Sequence, residues 1–80
     1  MTGEYRVVAN YWRKESGWTH EEEVDSFFCR MSAEMYVNSL DDDALAAYFI
    51  TTGADAVQFD ILDDDGNKIS DHWVDRDDVL

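Results

Sequence analysis

Apolar and polar residues alternate with a period of two near the start of the chain. Tyr5, Val7, Ala9 and Tyr11 fall on one side of this alternation, and the residues between them fall on the other. This period, together with the β-branched and aromatic residues that carry it, predicts a strand. Residues 13–17 then have the composition of a turn.

The stretch that follows fits two patterns, and the sequence leaves both open. A helix is indicated by a possible capping box, Thr19 with Glu22, and by apolar residues at helical spacing. Those apolar residues are Val24, Phe27, Phe28, Met31 and Met35. A strand would instead line up Asp25, Phe27, Cys29 and Met31 on one face. We favour the strand, because a hairpin gives the first strand a partner at once, and keep an extra helix within 19–38 as the alternative.

The second half of the chain predicts a helix followed by a hairpin. Asp41 is the expected N-cap and Gly53 the expected C-terminal cap. One face of this helix would carry Ala44, Leu45, Tyr48, Phe49 and Thr52. Residues 55–62 alternate again, with Val57, Phe59 and Ile61 inward. Residues 63–67 have hairpin-turn chemistry, and a last strand over 68–74 is expected to place Ile69 and Trp73 on one face.

These elements define a fold class. We predict a single α+β domain spanning 1–80, with an antiparallel sheet of about four strands and one main helix on one face. The element order is strand, strand, helix, strand, strand. The four aromatic residues Tyr5, Tyr11, Trp12 and Trp18 exceed what one small core can hold. We therefore expect one or two of them at the surface, where Trp and Tyr often anchor interfaces.

Charge changes the picture most. The chain of 80 residues carries 19 acidic and 6 basic side chains, a formal net charge of −13. It is also 45% hydrophobic and 14% aromatic, which is typical of a folded chain rather than of an acidic disordered tail. A protein with this much negative charge is not expected to bind nucleic acid directly, because that requires a basic patch. It is also not expected to bind an anionic membrane surface. With no secretory signal pattern and one cysteine, we expect it in the cytoplasm.

Candidate chemistry is sparse. Beyond carboxylates the chain offers only His20, His72 and Cys29, at spacings that match no catalytic signature, so we expect no enzyme and no cofactor. Cys29 has apolar neighbours that are typical of a buried cysteine. The run Asp63-Asp64-Asp65-Gly66-Asn67 is unlike a calcium loop, because with Gly66 at position 6 the first and last ligand positions would be Ile61 and His72. We expect a turn there and no dedicated metal site.

The acidic residues are therefore the candidates for partner binding. A cap or a turn needs about one carboxylate, whereas three runs carry three each. The candidate set is Glu21, Glu22, Glu23, Asp41, Asp42, Asp43, Asp60, Asp63, Asp64, Asp65, Asp71, Asp75, Asp77 and Asp78. A basic partner protein would explain the surplus, and so would salt adaptation, which favours Asp over Glu and few lysines. A dedicated inhibitor should concentrate its carboxylates on one face, whereas salt adaptation should spread them.

In size, charge and lack of proline the chain resembles the small acidic anti-CRISPR proteins encoded by phages. Segments such as Asn38-Ser39-Leu40-Asp41-Asp42-Asp43 and the turn at 63–67 are part of this general character, which covers the whole chain without a shared motif. The resemblance implies a stoichiometric inhibitor of a type I surveillance complex (Cascade) that acts in the cytoplasm of the bacterial host cell. Its carboxylates would occupy Lys and Arg positions that otherwise guide DNA, as a mimic of DNA.

The partner expected from this resemblance is a basic, nucleic-acid-handling protein, most simply a subunit of that complex. We expect the chain to act as a monomer rather than a dimer. Two alternatives stay open. One is an acidic module against another basic target, as in an antitoxin or an anti-restriction protein. The other is a small structural protein adapted to a salt-rich cell.

Overall fold

The sheet is built from two hairpins that the helices connect. A computed structural model describes residues 4–79. The elements are β1 (Tyr5–Arg13), β2 (Gly17–Phe27), α1 (Arg30–Asn38), α2 (Asp42–Thr52), β3 (Ala56–Leu62), β4 (Lys68–Asp75) and a short 3-10 helix (Arg76–Asp78). This is the α+β class that the sequence predicts, with a four-stranded antiparallel sheet and two helices.

The strands lie in the order β2-β1-β3-β4, so β1 and β3 are central and β2 and β4 form the edges. All neighbouring strands are antiparallel. Each central strand therefore has partners on both sides. The β1–β3 pairing closes the sheet across the helical connection, with Val7 opposite Ile61 and Tyr11 opposite Val57.

The main core lies between one face of the sheet and the two helices. Val7, Ala9 and Tyr11 of β1 contribute to it, as expected from their period of two. The inward residues predicted for β3, Val57, Phe59 and Ile61, are also buried there. From the helices the core receives Ala33, Val37, Leu45 and Phe49. The helices thus cover one face of the sheet, which we call the helix-covered face.

Helix α2 begins and ends as the sequence predicts. The Asp41 side chain accepts a hydrogen bond from the backbone N–H of Ala44 at 2.8 Å, which satisfies one of the unpaired donors of the first turn. Gly53 caps the other end with φ of 68°, a left-handed conformation that favours glycine. The apolar face between these caps is buried at Leu45 and Phe49.

The ambiguous stretch 18–38 is divided between both interpretations. A strand continues to Phe27, and the extra helix α1 begins at Arg30. The capping box of Thr19 and Glu22 is wrong, because both residues lie within β2. The expected strand face through Cys29 and Met31 is wrong as well, since the strand has ended before them. Cys29 is exposed rather than buried, and it stands at the N-cap of α1, between the end of β2 and the helix.

Strand β4 corrects a second expectation. Ile69 and Trp73 were expected on one face, but Ile69 packs against the core while Trp73 lies opposite Gln58 on the other face. The reason is a bulge between the pairs Ile61–Ser70 and Leu62–Lys68, which adds Ile69 as an extra residue. One extra residue reverses the alternation of side chains beyond it.

None of the helices within residues 4–79 is both long and apolar enough to cross a membrane.

Candidate partner-binding surface

The fourteen candidate carboxylates do not share one face of the molecule. Five of them lie on the sheet face that no helix within residues 4–79 covers: Glu21, Glu23, Asp60, Asp71 and Asp75. Glu22 lies on the helix-covered face, where it accepts a hydrogen bond from Tyr11. The others are grouped at the start of α2 (Asp41, Asp42, Asp43), in the β3–β4 turn (Asp63, Asp64, Asp65) and in the 3-10 helix (Asp77, Asp78).

Most of these carboxylates are exposed and lack a basic neighbour. Twelve of the fourteen are exposed, and only Asp60 and Asp63 are half-buried. Within residues 4–79, only Glu23 and Asp71 of this set lie within 4.0 Å of a basic nitrogen, in pairs with Arg6 at 3.8 Å and Lys68 at 3.3 Å. The negative charge is therefore largely uncompensated inside the molecule.

The uncovered sheet face, which we call the open face, is a regular grid. Residues directly opposite each other in neighbouring strands point to the same side, so the pairing defines its rows. From β2 to β4 the rows are Ser26–Arg6–Leu62–Lys68, Glu23–Val8–Asp60–Asp71, Glu21–Asn10–Gln58–Trp73 and Trp18–Trp12–Ala56–Asp75. The grid holds five carboxylates against two basic side chains, so the open face is acidic.

Asp60 is the carboxylate most firmly placed on this face. It accepts hydrogen bonds from the amide groups of Asn10 at 2.6 Å and Gln58 at 2.8 Å. Asp71 lies directly opposite on β4, an arrangement of like charges that is unfavourable by itself. Lys68 pairs with Asp71 and reduces that repulsion. The middle of the open face thus holds two neighbouring carboxylates, of which Asp60 is held in place by hydrogen bonds.

Three tryptophans meet at the other end of the same face. The ring centroids of Trp12 and Trp73 are 5.9 Å apart, and those of Trp18 and Trp73 are 5.8 Å apart at an interplanar angle of 87°. Trp18 remains 56% exposed and Trp73 43% exposed. The Trp73 indole N–H donates to Asp75 at 3.1 Å, which fixes its ring beside a carboxylate. This tryptophan cluster is a large apolar surface in contact with solvent.

A shallow depression of about 590 Å³ lies between the tryptophan cluster and Asp60. Its lining includes Trp18, Glu21 and Asp60, with the amides of Asn10 and Gln58 between them. An aromatic ring and two carboxylates therefore border one concave surface. Such a surface suits a planar cation with several N–H donors.

On the helix-covered face Tyr11 connects the sheet to α2. Its hydroxyl donates to Glu22 Oε1 at 2.8 Å, and its ring stacks on His20 with centroids 5.6 Å apart. Burial, with the hydrogen bond to Glu22 as a second cause, raises the pKa of Tyr11 well above 10.0. Burial likewise raises the pKa of Tyr48, whose ring lies 6.5 Å from that of Tyr11. Glu22 is thus occupied in holding the fold.

The acidic turn has the geometry that the sequence predicts. Asp63 Oδ1 accepts from the backbone N–H groups of Asp65 at 3.0 Å and Asn67 at 2.9 Å, and Gly66 has φ of 85°. The carboxylates of Asp63, Asp64 and Asp65 lie within 4.8 Å of one another. Asp63 is needed by the turn itself, which leaves Asp64 and Asp65 as free surface charge.

The side chains considered for catalysis lie apart. His20 is on β2 and His72 on β4, at opposite edges of the sheet, so three strand spacings, about 14 Å, separate them. Cys29 stands at the start of α1, where the backbone N–H groups of Ser32 and Met31 lower the pKa of its thiol. The structure does not bring these three groups together.

The tryptophan cluster is the feature that sequence analysis missed. An excess of aromatic residues indicated that some would be exposed, but the pattern could not show that they meet. Trp12 and Trp18 come together through the β1–β2 hairpin, and Trp73 joins them only because the bulge at Ile69 turns it to the open face. A tryptophan on each of three strands near one end of the sheet is the signal that could have been used.

Comparisons of the chain with protein-family models, with curated proteins and with solved structures find no match. Functional argument therefore depends on the chemistry of the surface.

Proposed function

We propose that the chain is a non-enzymatic inhibitor that binds a basic, nucleic-acid-handling protein surface. The observation that carries the proposal is the surplus of exposed carboxylates without a basic neighbour within residues 4–79. Such charges repel one another in the free protein and would be compensated in a complex with a basic surface. The resemblance to acidic anti-CRISPR proteins makes the type I surveillance complex the target to test first.

The spacing of the carboxylates supports mimicry of nucleic acid. Outward side chains two residues apart on a strand, such as Glu21 and Glu23, repeat about every 6.6 Å. This is of the order of the distance between successive phosphates along one strand. The pair Asp60 and Asp71 adds charge across neighbouring strands, about 5 Å apart. Lys and Arg side chains that normally contact a phosphate backbone could therefore find acceptors here.

The test is a DNA-binding assay with purified type I surveillance complex and a duplex target. We expect excess protein to abolish DNA binding, with a salt-dependent effect because the contacts are between charges. Unchanged DNA binding at a large excess of protein would reject the surveillance complex as the target. The same assay on a restriction enzyme or a toxin would then examine the alternative basic targets.

The acidic clusters are best tested with variants that leave the fold alone. Asp41 caps α2 and Asp63 holds the turn, so neither is a suitable position for charge reversal. Asp64→Lys with Asp65→Lys reverses exposed charges only. Asp42 and Asp43 lie in the first turn of α2, where lysine would oppose the helix dipole, so the second double variant neutralises them as Asp42→Asn with Asp43→Asn. If both double variants inhibit as well as the wild type, the clusters are not the contact surface.

A second candidate, a salt-adapted binding module, is favoured by the spread of carboxylates over both sheet faces and both ends. The composition, with 13 Asp, 6 Glu and only 2 Lys, also favours salt adaptation. The two candidates differ at low ionic strength. An inhibitor from an ordinary bacterial cell should keep its far-UV circular dichroism in dilute buffer, whereas a salt-adapted protein should unfold there.

A further inference from the structure

The open face combines an exposed aromatic surface with an excess of negative charge. It exposes a large aromatic surface, the tryptophan cluster, and it carries five carboxylates against two basic side chains. Monomeric proteins rarely leave large apolar side chains clustered in solvent unless the surface contacts something. Tryptophan is also among the residues that contribute most to binding at interfaces.

We infer that the open face docks a protein surface that presents arginine side chains, with guanidinium groups stacked on Trp18 and Trp73 and paired with Glu21 and Asp60. This inference rests on the proposed function in its general form, a basic protein partner, and specifies the surface and the chemistry of recognition. It does not depend on which basic protein is bound.

Arginine fits this surface better than lysine does. The guanidinium is planar, stacks on aromatic faces and offers several N–H donors, whereas the lysine ammonium is a compact and strongly hydrated charge. Carboxylates accept two parallel hydrogen bonds from a guanidinium. Asp60 is already held in place by Asn10 and Gln58, so little side-chain entropy is lost when a cation binds there.

Charge complementarity argues against the other occupants of such a surface. A second copy would bring its own acidic face against this one, and like-charged faces repel. Nucleic acid is excluded by the same sign of charge. The depression is shallow and wide, and Glu21 and Asp60 border it, so it suits side chains on a protein surface rather than one enclosed small molecule.

The experiment compares two synthetic peptides of ten residues with equal charge, one alternating arginine with glycine and one alternating lysine with glycine. Their affinities for the full chain are measured by isothermal titration calorimetry at about 0.15 M NaCl, near physiological ionic strength. We expect the arginine peptide to bind more tightly. Trp18→Ala and Trp73→Ala should each lower the affinity for the arginine peptide by about two- to fivefold. The difference in affinity between the two peptides should then become smaller.

Matched controls separate aromatic stacking from charge and from folding. Phe28→Ala removes an aromatic ring that is 79% exposed outside the open face and should change neither affinity. Asp42→Asn with Asp43→Asn removes two charges that lie outside the open face, and it should lower the affinity for both peptides equally. Glu21→Gln, on the exposed edge strand, gives an independent variant if Trp73→Ala disturbs the fold. It should lower the affinity for the arginine peptide more than the affinity for the lysine peptide.

Equal affinity for the two peptides, or an unchanged difference in Trp18→Ala, would overturn the inference. A dimer seen by sedimentation that Trp18→Ala dissociates would also overturn it, because the open face would then belong to a second copy. The proposed target can fail separately from the docking surface. In that case DNA binding by the surveillance complex would be unaffected, while the chain would still bind the arginine peptide more tightly than the lysine peptide. If Trp18→Ala, Trp73→Ala and Glu21→Gln all block the complex as well as the wild type, the target is correct and the docking surface is wrong.

Discussion

Asp60 illustrates how a single carboxylate can be placed near the middle of a sheet. Two amide groups donate to it, and the neighbouring Asp71 is paired with Lys68. Replacing Asp60 would leave the half-buried amides of Asn10 and Gln58 without their acceptor, which carries a cost of its own. Glu21, exposed on the edge strand, is therefore the cleaner position for testing charge on the open face.

Cys29 allows a prediction about reactivity. Backbone N–H groups of Ser32 and Met31 lower the pKa of its exposed thiol, so more thiolate is present at neutral pH than in an ordinary cysteine. We expect the rate of iodoacetamide alkylation to reach half its maximum at a lower pH in the folded chain than in the chain unfolded by urea. Coincident profiles would contradict this prediction.

Tyr11 allows a prediction about alkaline stability. Its pKa in the unfolded chain is near 10.0 and is raised in the fold, so its contribution is fully present below pH 10 and is lost as the pH rises further. Tyr11 is only 1% exposed, and the loss of unfolding free energy approaches a limiting slope of about 1.4 kcal/mol per pH unit as the pH rises beyond 10. This slope is checked with the midpoints of urea unfolding, measured from pH 9 to 11, which is about one unit on either side of the ordinary tyrosine pKa.

Tyr11→Phe is the control for this slope. It removes the ionisable group and keeps the ring in the core, so the decline of stability above pH 10 should become shallower. Tyr48 would then account for part of the decline in stability that remains in this variant, since burial raises the pKa of Tyr48 too. An identical decline in Tyr11→Phe would show that other groups control alkaline unfolding.

At the scale of elements, helix α2 depends on its two caps. Gly53 has a left-handed conformation, and a Cβ added there would lie 2.9 Å from the guanidinium of Arg13. Arg13 itself donates to the carbonyl of Thr52, so the end of α2 is attached to the end of β1. The left-handed backbone favours glycine at this position, whereas the contact is with the end of a long side chain that can move aside.

Gly53→Ala should destabilise the fold by about 1–2 kcal/mol, because alanine is strained in the left-handed region. The change is measured as the shift in unfolding free energy from urea titration. Gly17→Ala is the comparison, since it has φ of 77° but nothing within 4 Å of the added Cβ. If Gly53→Ala costs no more than Gly17→Ala, the contact with Arg13 has no energetic effect.

The sequence predicts those elements whose pattern is local. The alternation in β1 and β3, the caps of α2 and the turn at 63–67 each depend on residues close in the chain, and all are confirmed. The boundary between β2 and α1 could not be predicted, because the apolar residues of 24–35 fit both periods. The face of Trp73 could not be predicted either, because the bulge at Ile69 exists only through pairing with β3.

At the scale of the whole molecule, charge repulsion is the main unusual term. Nineteen acidic and six basic side chains share an 80-residue chain, and the described residues contain three ion pairs. Surface pairs of this kind contribute little individually. Repulsion among the remaining carboxylates should therefore reduce stability most when salt is low.

We predict that the midpoint of thermal unfolding rises between dilute buffer and about 0.5 M NaCl, which shortens the screening length severalfold. A rise of at least about 4 °C would correspond to roughly 1 kcal/mol in a domain of this size. Asp64→Asn with Asp65→Asn removes two charges from the turn and should show a smaller rise. A midpoint that is independent of salt would mean that the repulsion is weak in the folded state.

The position of the acidic residues in the sheet order also affects how the molecule meets its own copies. β2 and β4 are the edges, and they carry Glu21, Glu22, Glu23, Asp71 and Asp75. An exposed edge strand has unpaired backbone groups that can add a strand from another chain and begin a fibril. Here such an addition would place rows of carboxylates side by side, and repulsion between like charges disfavours growth at these edges. Replacing these carboxylates with amides would remove this barrier, and strand addition is then expected to begin at the two edges of the sheet.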